Sequence, residues 1–197
     1  MARILPLEDA LAPAIEVIER GDVVAIPTET VYGLAADATK GEAVARIFEV
    51  KGRPRFNPLI VHVGSLDMAR EIAVFDETSE RLAQKYWPGP LTLVLPLRED
   101  HRVHSLVTAG LETVAVRMPM GFGQLLINAL GRPLAAPSAN SSGRISPTSA
   151  QAVEDDLGAK VELVADGGRT KVGVESTIIK VDDGEVRMLR PGGITAD

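Results

Sequence analysis

Residues 174–189 read VESTIIKVDDGEVRML and combine two largely apolar runs with a short polar turn. The runs 174–180 and 185–189 have the composition of β-strands, and Asp182-Asp183-Gly184 is typical of the tight turn that joins antiparallel strands. Strands elsewhere in the chain are mixed with helices. We therefore predict an α/β sheet of mixed rather than wholly parallel direction.

The rest of the chain supplies those helices and strands. Apolar residues at helical spacing predict helices over residues 8–20, 42–50, 79–86, 124–130 and 149–157, the last capped by Thr148. Short apolar runs predict strands over residues 23–26, 59–63, 91–95, 113–116 and 161–164. Polar loops are predicted at 27–38, 51–58 and 137–148. Loops of this kind, held by a rigid sheet, are where binding chemistry is usually found.

The composition is that of an ordinary globular protein. The chain has 197 residues, 45% of them hydrophobic and 24% charged, which excludes a disordered or collagen-like chain and predicts one domain over residues 1–197. It has no cysteine, which excludes disulfides and thiolate sites. No apolar run is long enough for a membrane span, and the N-terminus lacks a signal-peptide pattern. We expect a cytoplasmic protein without membrane association.

The charge distribution is uneven. A formal net charge of −6 argues against broad nucleic-acid binding, yet residues 50–66 and 113–153 contain no carboxylate. Anions could bind there, because guanidinium and ammonium groups make charge-assisted hydrogen bonds to phosphate or carboxylate oxygens. The candidates are Lys51, Arg53, Arg117 and Arg144 in these stretches, and Arg190 outside them.

Familiar catalytic motifs are missing. The chain has no GxxxxGK[ST], no GxGxxG after a strand and no GxSxG, which disfavours P-loop enzymes, Rossmann dinucleotide binders and serine hydrolases. Three scattered histidines do not have the spacing of a zinc site. The hydroxyl-rich segment 138–143 could hold a phosphate or a ribose, or could simply form turns. This inventory favours phosphoryl or nucleotidyl transfer, in which the protein supplies position and positive charge.

Seven blocks, taken together and in order, closely resemble the YrdC family of threonylcarbamoyl-AMP synthases. They include the paired signature Lys-x-Arg and Ser-x-Asn, present as Lys51/Arg53 and Ser138/Asn140. The blocks are PTETVYGLAADA (27–38), KGRPRFNPLIVHV (51–63), WPGPLTLVLP (87–96), TVAVRMP (113–119), APSANSSGRISPTS (136–149), GVESTII (173–179) and LRPG (189–192).

The resemblance implies an enzyme that condenses L-threonine, bicarbonate or carbon dioxide, and ATP into threonylcarbamoyl-AMP and pyrophosphate. Magnesium accompanies the ATP, and no organic cofactor is implied. A separate transferase complex would then move the threonylcarbamoyl group to an adenosine of tRNA, and weak direct contact with tRNA is possible. The implied fold is a twisted, mixed but mostly antiparallel sheet with helices around a large, basic, concave cavity.

The resemblance also assigns site residues. The threonine contacts fall on Thr30, His62, Arg117, Ala136 (through its backbone) and Ser176. The ATP contacts fall on Lys51, Arg53, Asn57, Thr113, Ser138, Asn140, Ser146 and Arg190. Lys51, Arg53, Ser138 and Asn140 are the predicted catalytic group, and no side chain is expected to ligate a metal.

Two departures from the family pattern and two alternatives complete the prediction. Ala35 stands where many relatives carry glycine, and the chain stops at Asp197, where we expect the second domain of longer relatives to be missing. An RNA-binding module of the same fold is one alternative function. The other is a carbamoyl-adenylate enzyme that uses a different acceptor.

Overall fold

A computed structural model describes residues 1–194. Its strands are β1 (Arg3–Pro6), β2 (Val24–Ile26), β3 (Gly33–Asp37), β4 (Ile60–His62), β5 (Leu91–Pro96), β6 (Thr113–Arg117), β7 (Leu134–Ala135), β8 (Leu163–Asp166), β9 (Thr177–Asp182) and β10 (Glu185–Arg190). Its helices are α1 (Leu7–Glu19), α2 (Gly41–Lys51), α3 (Leu66–Arg70), α4 (Glu77–Tyr86), α5 (Ser105–Thr108), α6 (Phe122–Leu130) and α7 (Ala150–Leu157). None of the helices in this part of the chain is long and apolar enough to cross a membrane.

The strands form one sheet in the order β1-β8-β2-β3-β7-β4-β6-β5-β9-β10. Within residues 1–194, β1/β8, β2/β8, β4/β6 and β5/β9 pair in parallel, and the other five pairings are antiparallel. The predicted mixed, mostly antiparallel sheet is confirmed.

The hairpin β9–β10 has the predicted turn. Asp183 and Gly184 both have positive φ, at 49° and 80°. Two consecutive left-handed residues match the right-handed twist of the strands they join, and Asp-Gly tolerates that conformation well. The Gly184 N–H also donates to Asp76 Oδ2 at 3.1 Å, which ties the turn to the start of α4.

Helices cover the two faces of the sheet unequally. The larger core cluster joins one face to α2, α4, α5 and α7, with Ile47 and Leu157 among its buried side chains. The smaller cluster packs α1 and α6 against the opposite face, where Ile18 and Leu126 meet the β2 side of the sheet. Burial of these apolar surfaces stabilises the sheet and leaves part of the second face free of helices.

Strands β4, β6, β5 and β9 carry that uncovered region. Their register aligns Ile60, Ala115, Val94 and Lys180 in one row across the sheet, and all four are partly exposed. Neighbouring residues such as Val116 point the other way and are buried in the larger core cluster. We call this partly exposed region the open face, and it positions the candidate site.

All five predicted helices and the predicted strands are present, with ends shifted by up to three residues. The prediction of a loop throughout residues 27–38 was wrong, because Gly33–Asp37 forms β3. This strand is buried along its whole length, so its small side chains suit tight packing although they are poor strand formers in isolation. The cap of α7 was also wrong: the Ser149 side chain, not Thr148, accepts the Ala152 N–H.

Four short elements were missing from the prediction: β1, β7, α3 and α5. Strand β7 has only two residues. Strand β1 lies at the sheet edge and its residues are largely exposed, so its sequence has little apolar pattern. Helices α3 and α5 have five and four residues, too few to display helical periodicity.

Candidate functional site

A cavity of about 220 Å³ lies at the open face. All five predicted threonine contacts line it, together with three of the predicted ATP contacts. These residues are Thr30, His62, Arg117, Ala136, Ser176, Arg53, Ser138 and Arg190. They come from six separate segments of the chain. The structure therefore brings together side chains that the sequence keeps far apart.

Two hydroxyls fix the loop that carries Thr30. Thr28 Oγ1 donates to the Val31 carbonyl at 2.7 Å and lies 2.9 Å from Thr30 Oγ1. The Thr30 carbonyl accepts the Gly173 N–H at 3.0 Å, which joins this loop to the segment before β9. Thr30 is fully buried, so its position in the cavity wall is rigidly defined.

Arg117, the last residue of β6, is held by a carboxylate that the sequence prediction did not include. Its Nη2 lies 2.6 Å from Glu29 Oε1, and its Nε donates to the Gly89 carbonyl at 3.2 Å. The other Glu29 oxygen accepts the Met120 N–H at 3.0 Å. Desolvation lowers the pKa of Arg117, and the negative charge of Glu29 opposes that effect.

His62, the last residue of β4, is beside Arg117 in the sheet register. Its Nδ1 is 3.3 Å from the Ile60 carbonyl. Burial, followed by the positive charge of Arg117, lowers the pKa of His62 to about 3. The imidazole is thus neutral at physiological pH, and with Nδ1 facing a carbonyl its Nε2 is available as an acceptor.

Arg190 organises a second polar cluster at the end of β10. It is ion-paired with Glu175, and its Nε and Nη2 donate to the Ser176 carbonyl at 3.1 and 2.9 Å. Ser176 Oγ lies 2.7 Å from Thr92 Oγ1 and 3.1 Å from Arg190 Nη2. Glu175 Oε1 also accepts the Ser146 hydroxyl at 2.8 Å. Glu175 thereby connects two predicted ATP contacts.

Lys51 lies next to the segment that carries Ser138 and Asn140. It is buried at the end of α2, and its Nζ donates to the Ser138 and Asn140 carbonyls. It is not among the residues that line the cavity. Burial, followed by the charge of Arg53, lowers the pKa of Lys51 to about 8. Lys51 fastens the Ser138–Asn140 segment beside the cavity.

Arg53 faces the cavity from the loop after α2. Its Nη2 donates to the Pro58 carbonyl at 3.1 Å, while its Nε is buried without a hydrogen-bond partner among residues 1–194. Desolvation lowers its pKa. A guanidinium with an unused buried N–H in a cavity wall is suited to an anionic ligand, which would supply the missing acceptor.

Four other predicted ATP contacts lie outside this cavity. Asn140 and Ser146 line an adjoining groove of about 630 Å³. Asn57 lies in the loop before β4 and is partly exposed. Thr113 begins β6, on the same face of that strand as Arg117 but four residues away, roughly 13 Å at the rise of a strand. A ligand would have to extend along the open face to reach it.

Glu29 and Glu175 are the site residues that sequence reasoning missed. Each is adjacent to a predicted threonine contact, Thr30 and Ser176 respectively, inside the blocks PTETVYGL and GVESTII. That adjacency was the available signal. Their carboxylates partly neutralise Arg117 and Arg190, so the positive charge at the site is smaller than the two carboxylate-free segments suggest.

Comparisons with known proteins identify the family of this chain. Residues 16–192 match the Sua5/YciO/YrdC family model, which carries the description "Telomere recombination". A threonylcarbamoyl-AMP synthase of Pyrococcus abyssi is 52% identical over 179 residues, covering 90% of this chain and 52% of the relative. One from Bacillus subtilis is 47% identical over 189 residues, covering 95% of this chain and 54% of the relative. The chain thus spans about half the length of these relatives.

A solved structure extends the likeness to three dimensions. The crystal structure of Pyrococcus abyssi Sua5 complexed with L-threonine superposes with a TM-score of 0.92 at 48% sequence identity, covering 97% of this chain and 58% of that one. The family match covers most of the described chain, and the matching blocks include those that build the cavity. The chain belongs to the Sua5/YciO/YrdC family.

Proposed function

We propose that the protein is a nucleotidyltransferase that condenses L-threonine, bicarbonate or carbon dioxide, and ATP into threonylcarbamoyl-AMP, releasing pyrophosphate. One observation carries the proposal: Thr30, His62, Arg117, Ala136 and Ser176 line a single cavity beside the cationic side chains of Arg53 and Arg190. Such a cavity offers an amino-acid site and an anion site in direct contact. The names of the relatives and of the threonine complex support the same reaction.

Threonine would bind at the Arg117 end of the cavity. Arg117 Nη1 has no hydrogen-bond partner among residues 1–194 and is free to donate to the substrate carboxylate. The neutral His62 ring and the Thr30 and Ser176 hydroxyls would contact the polar groups of the substrate. Because His62 is uncharged, it can accept a hydrogen bond from the substrate amine or hydroxyl without repelling it.

ATP would bind from the cavity toward the adjoining groove. Arg53 and Arg190 would neutralise the phosphates, and Ser138 would donate to them from the segment that Lys51 holds in place. Asn140 and Ser146 extend this surface, and Asn57 and Thr113 would be reached by the outer parts of the nucleotide. Magnesium would enter as MgATP, bound through phosphate oxygens.

The reaction needs no covalent enzyme intermediate. The threonine amine forms a bond to the carbon of carbon dioxide and releases a proton, which gives the carbamate. If bicarbonate is the source, water leaves in place of that proton. A carbamate oxygen then attacks the α-phosphorus as the bond to pyrophosphate breaks. The protein would act by alignment and by positive charge near the developing negative charge, to which Arg53 and Arg190 are suited.

The product is a mixed anhydride, and its chemistry implies a following group transfer to an amine nucleophile. By family resemblance that acceptor is an adenosine of tRNA, modified by a separate transferase complex in the cytoplasm. This chain would therefore supply the activated intermediate for tRNA modification.

The direct test is product formation. The protein would be incubated with ATP, bicarbonate and isotope-labelled threonine, and mass spectrometry should detect labelled threonylcarbamoyl-AMP together with pyrophosphate. Omission of bicarbonate and replacement of threonine by serine are the matched controls. Product that forms equally well in either control would contradict the proposed substrates, and absence of any adenylate would refute the proposed function.

A further inference from the structure

Three loops around the cavity expose large apolar side chains. Phe56 is 77% exposed, Ile145 is 94% exposed and Val174 is 51% exposed. Each loop also contributes to the cavity wall, through Arg53, Ser138 and Glu175. Exposed apolar groups of this size, on loops that share one cavity wall, are typical of surfaces that contact another macromolecule.

Hydrogen bonds join the loops to one another. The Ser142 N–H donates to the Lys51 carbonyl at 2.8 Å, which links the first loop to the second. The Thr170 N–H donates to the Thr148 carbonyl at 2.9 Å, which links the second to the third. The exposed apolar groups therefore belong to one connected border of the cavity rather than to three independent loops.

This border is also basic. Residues 51–58, 138–149 and 167–174 contain no carboxylate, although Glu175 follows the third segment directly. Arg55, Arg144 and Lys171 are exposed beside the apolar side chains. Arg144 pairs with Asp156 at 3.2 Å but is still 69% exposed. We call Arg55, Phe56, Arg144, Ile145, Lys171 and Val174 the rim. It is a cationic and apolar surface on a protein whose net charge is −6.

We propose that the rim docks the enzyme that consumes the adenylate, through an acidic surface of that enzyme with an apolar recess. The inference rests on the proposed function. A mixed anhydride of carbamic and phosphoric acids is hydrolysed by water, so a consumer bound at the mouth of the cavity would receive the product before it is lost. Charge complementarity with the rim selects an acidic partner and its apolar side chains supply the buried contact.

A protein fits the rim better than RNA does. Two of its three apolar side chains, Ile145 and Val174, are aliphatic and present no ring on which a base could stack. Proteins that bind single-stranded RNA combine aromatic platforms with an extended basic groove. The rim offers only one aromatic ring, and aliphatic side chains of this kind contribute most when another apolar surface buries them.

The test compares Phe56→Asp and Val174→Asp with Leu111→Asp, a control at a residue that is 51% exposed and lies in neither the rim, nor the cavity, nor the adjoining groove. The probe is the purified transferase of the same organism that moves the threonylcarbamoyl group from the adenylate to tRNA. Three quantities are measured: pyrophosphate release by the variant alone, its Kd for the transferase, and the yield of modified tRNA in the coupled reaction.

The rim variants should release pyrophosphate at a rate within about twofold of the wild type, because neither side chain lines the cavity or the adjoining groove in which ATP is proposed to bind. Their Kd for the transferase should rise by about tenfold or more, the change expected when a buried apolar contact is replaced by a like-charged group. The yield of modified tRNA should fall with it, and Leu111→Asp should change none of the three quantities.

Four outcomes would overturn the inference. An unchanged Kd and an unchanged transfer yield in both rim variants would exclude this surface as the docking site. Loss of pyrophosphate release in both would assign the rim to catalysis. Binding of tRNA alone that falls steeply with salt and disappears in Phe56→Asp would make the rim an RNA surface. A wild-type protein that makes no pyrophosphate would refute the proposed function and, with it, this partner.

Discussion

Glu29 Oε1 lies 2.6 Å from Nη2 of Arg117, and the two side chains are only 8% and 4% exposed. The pair is buried at the cavity wall, where each partner compensates the other's charge. Glu29 also accepts the Met120 N–H, and Arg117 Nε also donates to the Gly89 carbonyl. The guanidinium therefore has one defined orientation. The proposed site for the threonine carboxylate is thus preorganised before any substrate binds.

Glu29→Ala should lower the free energy of unfolding by about 3 kcal/mol, because it leaves the Arg117 charge buried without a partner. Urea denaturation measures this change. The double variant Glu29→Met/Arg117→Met should recover much of the loss, since it removes both charges. Additive effects of Glu29→Met and Arg117→Met, within about 0.5 kcal/mol, would show that the pair is not coupled.

Arg53→Ala should reduce kcat/KM for ATP by about 10- to 100-fold, which corresponds to the loss of one or two charge-assisted hydrogen bonds to phosphate. Arg55→Ala is the matched control, because Arg55 is exposed on the same loop and does not line the cavity. Steady-state pyrophosphate release at varied ATP measures both. Equal losses in the two variants would indicate a general loop effect rather than a phosphate contact at Arg53.

The depressed pKa of Lys51, about 8 against an ordinary 10.5, predicts a specific pH dependence of stability. Between these values the unfolded chain holds a proton that the folded chain has lost, so the free energy of unfolding of the wild type should rise with pH. The rise relative to Lys51→Met should approach about 1.4 kcal/mol per pH unit. Urea denaturation at pH 7.5 and 9.5 measures it, and a constant difference between the two proteins would contradict the assignment.

His62 should remain neutral far below the ordinary histidine range. Its pKa is about 3 in the folded protein, against 6.5 ordinarily. As the pH falls below 6.5, the imidazole is protonated in the unfolded chain but not in the folded protein, so the free energy of unfolding falls. Imidazole NMR resonances, assigned to His62 by their absence from His62→Gln, should not shift between pH 8 and 5. A titration midpoint above pH 5.5 would contradict a buried, neutral ring.

Much of the fold could be predicted because its signals are local. Helices α1 and α2 and strands β5 and β6 follow from apolar periodicity within a dozen residues, and the β9–β10 turn follows from Asp-Gly. Strand β3 could not be predicted in this way. Gly33–Asp37 forms a strand because it pairs with β2 on one side and β7 on the other. The rest of the protein also buries both of its faces.

Part of the candidate site could likewise be predicted from the sequence, and part could not. Sequence motifs alone selected the loops that carry Thr30, Arg53 and Ser138, and these residues do line one cavity. Sequence motifs did not show that Lys51 donates hydrogen bonds to backbone carbonyls 87 and 89 residues away. They also did not show that Glu29 pairs with Arg117, which lies 88 residues further along the chain. Both contacts link residues that lie far apart in the chain.

The sequence by itself therefore determined the local elements, the loops that bear the chemistry and the family to which the chain belongs. Only the tertiary structure decided which charges meet, since strand order and register bring Glu29 to Arg117 and Lys51 to Ser138. The physical reason is that a helix or turn depends on neighbouring residues, whereas ion pairs between distant loops exist only after the whole sheet has formed.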